Sequence, residues 1–450
     1  MIAAPQVPDM ESIVQTNGAE GAAKKGSPPP SHQQPVLKPW LAAQSLNLVR
    51  HTKALRPFRR EEFGSGPESP SDGHIQVVNQ LMASMRRSLE ARAERMNRHV
   101  TAAINQPDAG RLLKVVTDKH NAHRWVQSIE RIWDFYFELF GQRQSQYGQW
   151  LLSCDRIALD CYRTAHVGLG RERSIKAPPP FCYMHTGFGP QTFLRGVRLR
   201  KLGQQQNLFP LIQLPYHRLV NPWTLGAVLH EVMHNLQSDL GLSITVPRRI
   251  ARQLLKEDLG AGVAAVWTRW NREIFADLGA LLLGGPGVVA SLLDVLARSP
   301  EIVYYFHSRG VHPTPLLRPL LSTELLKRMG FTQEAERYRH AWFRIYNNPK
   351  SGSFPPVILK TAAKAIRLIV DAVCYQPYAE LGNKSLAQVL PFEQKEQRMI
   401  EEAAGRLAQG TDPGVVPERF LIGAARFALD NRLARAEAIK ENFYKDLTRR

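Results

Sequence analysis

The sequence predicts a predominantly helical α+β protein with a small sheet in the middle of the chain. Apolar residues recur at spacings of three and four from Val77 to about Gly168, and again in several segments from about Thr323 onward. This is the period of helices that bury one face. Between these stretches, FPLIQLP (209–215) and FLRGVRLRKL (193–202) are candidates for strands. A small sheet between helical regions follows from this order.

Four regions are predicted in chain order. Residues 1–75 contain 10 of the 31 prolines and show no sustained apolar period, which favours a disordered tail. Residues 76–206 form a basic helical region with 20 Lys and Arg against 10 Asp and Glu. Residues 207–345 are expected to form the functional core, and residues 346–450 a C-terminal helical region whose helices are separated by Gly- and Pro-rich breaks.

Composition excludes several classes of protein. At 450 residues and 44% hydrophobic, the chain can bury a large core, and it contains no apolar run long enough to span a membrane. The N-terminal residues lack the pattern of a secretory signal. Four cysteines without a CxxC pair are too few for a disulfide scaffold. Together these features predict a cytoplasmic protein.

The segment NPWTLGAVLHEVMHNLQSDLG contains a candidate metal site. His230 and His234 are four residues apart, so on a helix both imidazoles lie on one face, as two ligands of one ion require. Glu231 points to the side of that pair and can reach a water bound to the metal. This is the HExxH arrangement of two ligands and a general base. The alternative is a surface helix with solvated histidines.

A second helix, VWTRWNREIFADLGALLLGG, offers two carboxylates at the same spacing. Glu273 and Asp277 share a helix face next to an apolar stripe, where carboxylates must meet a cation or a donor. Zn²⁺ held by the two histidines is a suitable cation for Glu273. Asp277, one turn on, can accept the second ring N–H of a ligand histidine. The alternative is a helix edge with two exposed acids.

The HEVMH segment, followed after 38 residues by EIFAD, resembles the gluzincins, the thermolysin-like zinc metallopeptidases. The resemblance covers residues 207–318 and implies a zincin-like catalytic core. It implies that His230, His234 and Glu273 are zinc ligands, that Glu231 is the base and proton shuttle, and that Asp277 supports a ligand histidine.

The resemblance also implies that a downstream histidine and a tyrosine stabilise the oxyanion. His312 has the corresponding order along the chain, with Tyr304 or Tyr305 as the tyrosine, although His312 can equally be a loop residue packed under a proline. The sequence departs from the family where an asparagine commonly precedes the third ligand. Arg272 stands there, with Asn271 one residue earlier, which leaves the subfamily and substrate open.

The leading functional hypothesis is a zinc-dependent metallopeptidase in which Glu231 deprotonates a metal-activated water that attacks a protein or peptide substrate. One alternative is a regulatory or scaffold protein that keeps a metallopeptidase-like core, with basic helices that bind a partner or polyanion. Another is a metal-dependent hydrolase of a non-peptide amide. The formal net charge of +19 makes nucleic-acid binding possible, but no nucleic-acid motif accompanies it, so a solvated basic surface is favoured.

Overall fold

A computed structural model describes residues 34–170, 175–347 and 354–450. The described residues form eighteen α-helices and five short strands. The helices are α1 (Gln34–Ala54), α2 (Asp72–Asn105), α3 (Ala109–Gly141), α4 (Gly148–Gly168), α5 (Tyr216–Val220), α6 (Gly226–Asp239), α7 (Leu242–Lys256), α8 (Ala261–Arg269), α9 (Asn271–Gly284), α10 (Gly287–Leu296), α11 (Pro300–Val303), α12 (Arg318–Arg328), α13 (Thr332–Ile345), α14 (Pro356–Val370), α15 (Leu386–Val389), α16 (Gln394–Gln409), α17 (Phe420–Asp430) and α18 (Ala436–Arg449). The strands are β1 (Phe181–Met184), β2 (Gln191–Phe193), β3 (Arg198–Leu199), β4 (Gln205–Gln206) and β5 (Leu211–Leu214). The predicted fold class, a predominantly helical α+β protein with a small sheet, is confirmed. No helix among the described residues has the length and apolar character needed to cross a membrane.

The chain divides into two compact units, of which the smaller comprises residues 1–53 and 91–122. Its described part contains most of α1 and the adjoining segments of α2 and α3. One face of α1 is buried at a helical spacing through Leu41, Ser45, Leu48 and Thr52. Ser45 Oγ donates a hydrogen bond to Asn97 Oδ1 at 2.9 Å.

These observations correct the predicted disordered tail over residues 1–75. Residues 1–33 lie outside the described residues, but from residue 34 on the prediction is wrong. Leu41 and Leu48 are both buried, and Phe58 and Phe63 pack against each other after α1. The sequence analysis missed α1 because polar residues stand between its two buried leucines, so composition outweighed the weak helical period.

The larger unit comprises residues 54–90 and 123–450 and contains a three-stranded sheet in the order β1-β5-β2. β5 pairs in parallel with β1 and antiparallel with β2, and all four of its residues are buried. The predicted strand at 209–215 is therefore confirmed as the central strand. The candidate at 193–202 contains the two-residue β3, which pairs with β4, followed by a 3-10 turn at Arg200–Leu202. β2 is left at the edge of the sheet.

The C-terminal helices pack in the same unit as the predicted core. The buried Arg419 guanidinium donates to Asp160 Oδ2 in α4 at 2.9 Å and to the Leu283 carbonyl in α9 at 2.9 Å. Tyr444 in α18 donates to the Leu219 carbonyl in α5. The predicted boundaries at residues 206 and 345 therefore do not separate compact units, since these long-range contacts join the segments on both sides of each boundary.

His74, at the start of α2, provides a test of this packing through the pH dependence of stability. Its Nε2 bonds to the Pro179 carbonyl at 3.0 Å, its Nδ1 to Ser71 Oγ at 2.7 Å, and its ring packs edge-on against Phe209. Burial lowers the pKa of His74 from 6.5 to about 4. The unfolded chain therefore binds a proton on acidification before the folded protein does, so stability contributed by neutral His74 is present above pH 6.5 and is lost as the pH falls toward 4.

We expect this residue to reduce the free energy of unfolding by about 2 kcal/mol between pH 7 and pH 5. Denaturant titrations at the two pH values measure the change. The variant His74→Gln should show a correspondingly smaller pH dependence, whatever its stability at pH 7. An unchanged pH dependence in this variant would contradict the assignment.

Candidate metal centre

Helix α6 places the two predicted histidine ligands and the predicted base. A 3-10 turn at Pro222–Thr224 leads into the helix, whose apolar residues are buried in the main core. His230 and His234 are one turn apart, and their rings stand nearly perpendicular with centroids separated by 4.7 Å. Glu231 is buried beside them. The i, i+4 spacing thus brings both imidazoles to one point on the helix surface.

Helix α9 packs closely against α6 because two of its glycines face large side chains of that helix. A Cβ on Gly279 would lie 2.2 Å from Met233 Cε, and one on Gly284 would lie 2.7 Å from Leu229 Cδ2. A larger residue at either position would require the Met233 or the Leu229 side chain to move. The close approach brings Glu273, in the first turn of α9, to the two histidines.

The donor atoms have the spacing of a tetrahedral metal site. His230 Nε2 and His234 Nε2 are 3.1 Å apart, and each lies 3.5 Å from an oxygen of Glu273. Ligand bonds of about 2.0–2.1 Å in a tetrahedron require donor atoms about 3.3 Å apart. All three donors lie within 4.8 Å of one another. Two imidazoles and one carboxylate are a donor set that suits Zn²⁺ and leaves a fourth position for water or substrate.

Asp277 lies on the far side of His230 from the donor cluster. Its Oδ1 is 2.9 Å from His230 Nδ1, so the ring N–H at Nδ1 donates to the carboxylate and Nε2 faces His234 and Glu273. The arrangement orients the imidazole for metal binding. This is the contact that the sequence predicted for Asp277.

Arg318 is the residue at this site that the sequence analysis did not assign. Its Nε donates to Asp277 Oδ2 at 2.7 Å, its Nη2 to Asp277 Oδ1 at 2.8 Å, and Nη2 lies 3.5 Å from Glu273 Oε2. The guanidinium is buried and joins the two carboxylates of α9. The sequence indicates Arg318 only through its position at the start of RPLL, a largely apolar helical turn. A charge buried there would need an acidic partner.

The carboxylates set the charge of the site. Burial lowers the pKa of His230, but hydrogen bonds and charges from Asp277 and Glu273 outweigh burial and raise it to about 10. Burial and the positive charge of His230 lower the pKa of His234 to about 3. Burial raises the pKa of Glu273, but His230 and Arg318 more than offset this, and it lies well below its usual range. Burial likewise raises the pKa of Asp277, but Arg318 and His230 more than offset this and lower it. Both carboxylates are thus charged, and Glu273 favours a cation at the Nε2 atoms.

Glu231 and the donor cluster lie along a cleft of about 660 Å³, a volume within the range of small-molecule sites. Burial raises the pKa of the Glu231 carboxyl to about 7. A carboxylate with a pKa close to neutrality can both accept and return a proton at physiological pH. β2 forms part of one wall, and Asn235 of α6 donates to Thr192 Oγ1 at 2.7 Å, which holds the strand against the metal-site helix.

His312 reaches the cleft, and the two candidate tyrosines do not line it. The Nε2 of His312 lies 3.4 Å from Glu273 Oε1, and its side chain is 68% exposed. Tyr304 is buried in a separate apolar cluster with Trp342 and Tyr346. Tyr305 is exposed beside the His307 ring. The structure therefore brings His312 together with the other five predicted residues, and among the described residues no tyrosine lines the cleft.

Loss of the Arg318 guanidinium is expected to destabilise the metal-free protein. Arg318→Met would leave the buried Asp277 and Glu273 carboxylates without the guanidinium that joins them. We expect the free energy of unfolding to fall by about 3 kcal/mol. Arg318→Lys should reduce the free energy of unfolding by less, because lysine retains the positive charge. Some loss should remain, because lysine lacks the paired N–H donors of arginine. Denaturant unfolding with a chelator present measures both. The exposed Arg309→Met is the control, and equal stability of Arg318→Met and wild type would contradict the assignment.

No protein-family model, curated protein or solved structure matches this chain.

Proposed function

We propose that this protein is a zinc-dependent metallopeptidase of the gluzincin type. The observation that carries the proposal is the convergence of His230, His234 and Glu273 at tetrahedral spacing, beside the buried Glu231 and within one cleft. Of the possible roles of such a donor set, catalysis is favoured over a structural one, since three protein ligands at an accessible cleft leave a coordination position open. Structural zinc sites usually have four protein ligands.

In this proposal, His230, His234 and Glu273 hold the metal, and Asp277 fixes the His230 ring. Zn²⁺ bound there would supply Lewis-acid chemistry by polarising the scissile carbonyl and lowering the pKa of a water. Glu231 removes the proton from the attacking water and delivers it to the leaving nitrogen. In the metal-free protein, burial raises the pKa of the Glu231 carboxyl to about 7, which favours acceptance of a proton. Arg318 keeps the neighbouring carboxylates ionised.

His312 is proposed to stabilise the oxyanion of the tetrahedral intermediate. It lines the cleft with an exposed ring, and its Nε2 lies 3.4 Å from Glu273 Oε1, one of the donor residues. A donor aimed at developing negative charge is often a large catalytic contribution. Neither Tyr304 nor Tyr305 is assigned a role.

The edge strand β2 is proposed to bind the substrate backbone. Gln191 and Thr192 line the cleft, and in the described sheet β2 pairs on one side with β5. An extended peptide can add to such an edge through main-chain hydrogen bonds. This contact would place the scissile bond along the metal-site helix, to which Asn235 holds the strand.

A cytoplasmic location is part of the proposal. The cysteines Cys154, Cys161, Cys182 and Cys374 are all free and buried, as expected for a protein in a reducing compartment.

Two measurements on the purified wild-type protein test the function. Elemental analysis should give one zinc per chain, and a mixed peptide library should be cleaved in a chelator-sensitive manner. Bound zinc without turnover of any peptide or small amide would support the scaffold alternative. Cleavage confined to non-peptide amides would support the alternative of a metal-dependent hydrolase that acts on a non-peptide amide. Absence of zinc after growth and purification in zinc-containing medium would contradict the metal site itself.

A further inference from the structure

Of the three arginines that line the cleft, only one is paired with carboxylates. The acidic residues of the cleft are Glu231, Glu273 and Asp277, all in the metal-site region, and its arginines are Arg269, Arg272 and Arg318. Arg318 is neutralised by its buried contacts with the two carboxylates of α9. The other two arginines have no acidic counterpart among the residues that line the cleft. The three carboxylates and three guanidinium groups balance in formal charge, so a divalent cation on the three donors would make the cleft positive.

Arg269 and Arg272 line the cleft at the passage from α8 to α9. Arg269 is the last residue of α8, and Arg272 immediately precedes the metal-ligand candidate Glu273. Both side chains are exposed. Arg269 donates to the carbonyl of Ser308, which holds its guanidinium without neutralising it. In the part of the chain that the structure describes, neither arginine forms an ion pair with a carboxylate.

We infer that these two arginines select peptide substrates with an acidic side chain close to the scissile bond. The inference rests on the proposed peptidase function and adds the substrate class. An aspartate or glutamate of a peptide that lies along the cleft can reach a guanidinium that has no carboxylate partner of its own. Paired N–H donors suit a carboxylate, and a lysine at the same position would meet like charge.

The expected selectivity is moderate, since both arginines are exposed. Exposed charge pairs contribute little, which corresponds to a preference of about 3- to 5-fold for glutamate over glutamine. The preference should decrease as salt is added, because ions screen exposed charges. Uncharged substrates should show no comparable salt effect.

Matched peptides test the inference. A single glutamate, glutamine or lysine is moved through each position of one peptide that the wild type cleaves, and kcat/KM is measured for each. We expect glutamate to be preferred over glutamine, and glutamine over lysine, at one or two adjacent positions. Equal rates for the three residues at every position would overturn the inference while leaving the peptidase function intact.

Binding provides a readout that does not need turnover. The same peptides, fluorescently labelled, are titrated into the zinc-loaded Glu231→Gln variant. Tighter binding of the glutamate peptides supports the inference, even if the wild type cleaves none of them and the proposed peptidase function fails. If a single-stranded oligonucleotide displaced the labelled peptide more strongly than an unlabelled acidic peptide did, the inference would be overturned in favour of nucleic-acid binding.

Charge reversal assigns the effect to a residue. Arg272→Glu should reverse the order, so that lysine is preferred over glutamate by about 3- to 5-fold, with the change mainly in KM. Arg269→Glu should act in the same direction. The matched control is Arg252→Glu on α7, an exposed arginine outside the cleft lining, which should retain the wild-type preference. Retention of that preference by both cleft variants would overturn the inference.

Discussion

Glu231→Gln is expected to reduce peptide hydrolysis by about 10²- to 10⁴-fold while the protein still binds one zinc per chain. Glutamine has nearly the size of glutamate but cannot accept a proton from water. Glu231 is not one of the three clustered donors, so zinc content should not change. The change is also compatible with folding, because burial already disfavours the charged form and raises the pKa of Glu231 to about 7.

The measurement compares kcat/KM and zinc content of wild type and variant in the same buffer. Glu94→Gln, which changes an exposed glutamate of α2, controls for loss of one negative charge and should retain full activity. Full activity in Glu231→Gln would exclude Glu231 as the base. Loss of activity accompanied by loss of zinc would show that Glu231 acts on the metal site rather than on the proton.

His230→Ala is expected to abolish stable zinc binding. The change removes one of the three donors and also leaves the Asp277 carboxylate without the ring N–H that it accepts at 2.9 Å. Wild-type protein should retain zinc through dialysis, and added zinc should raise its unfolding temperature because zinc binds the folded state. In the variant, both effects should disappear, and hydrolysis with them.

Elemental analysis after dialysis and thermal unfolding with and without zinc measure this result. His123→Ala, at an exposed position of α3, controls for non-specific zinc binding by a histidine. The zinc site would be misassigned if His230→Ala retained one zinc per chain. Zinc retention in His230→Ala combined with zinc loss in His123→Ala would instead place the metal elsewhere on the chain.

The donor cluster was predictable because its parts follow local rules. Two histidines at i, i+4 on one helix share a face whatever the helix packs against, and the same rule places Glu273 and Asp277 together on another. The strand at 209–215 was recognisable from a short apolar run of residues. Within each helix and within the strand, the relevant residues are close in sequence.

Other features were not predictable in this way. Arg318 is 41 residues from Asp277, and the residues next to each of them do not indicate that the two are in contact. Helix α1 was not predicted because the residues around it have the composition of a disordered segment. The separation of Tyr304 from the cleft depends on its burial against Trp342 of α13. The edge position of β2 follows from pairing with β5, which comes later in the chain.

The amino-acid pattern by itself determined which side chains can act as donors, base and supporting carboxylate, since helical periodicity sets which neighbours share a face. Tertiary packing decided that α6 and α9 meet. Their close approach occurs where Gly279 and Gly284 of α9 face α6. It also decided that Arg318 joins the two carboxylates and that Arg269 and Arg272 line the cleft. Such contacts depend on side-chain volume and burial summed over distant segments, which no local spacing encodes.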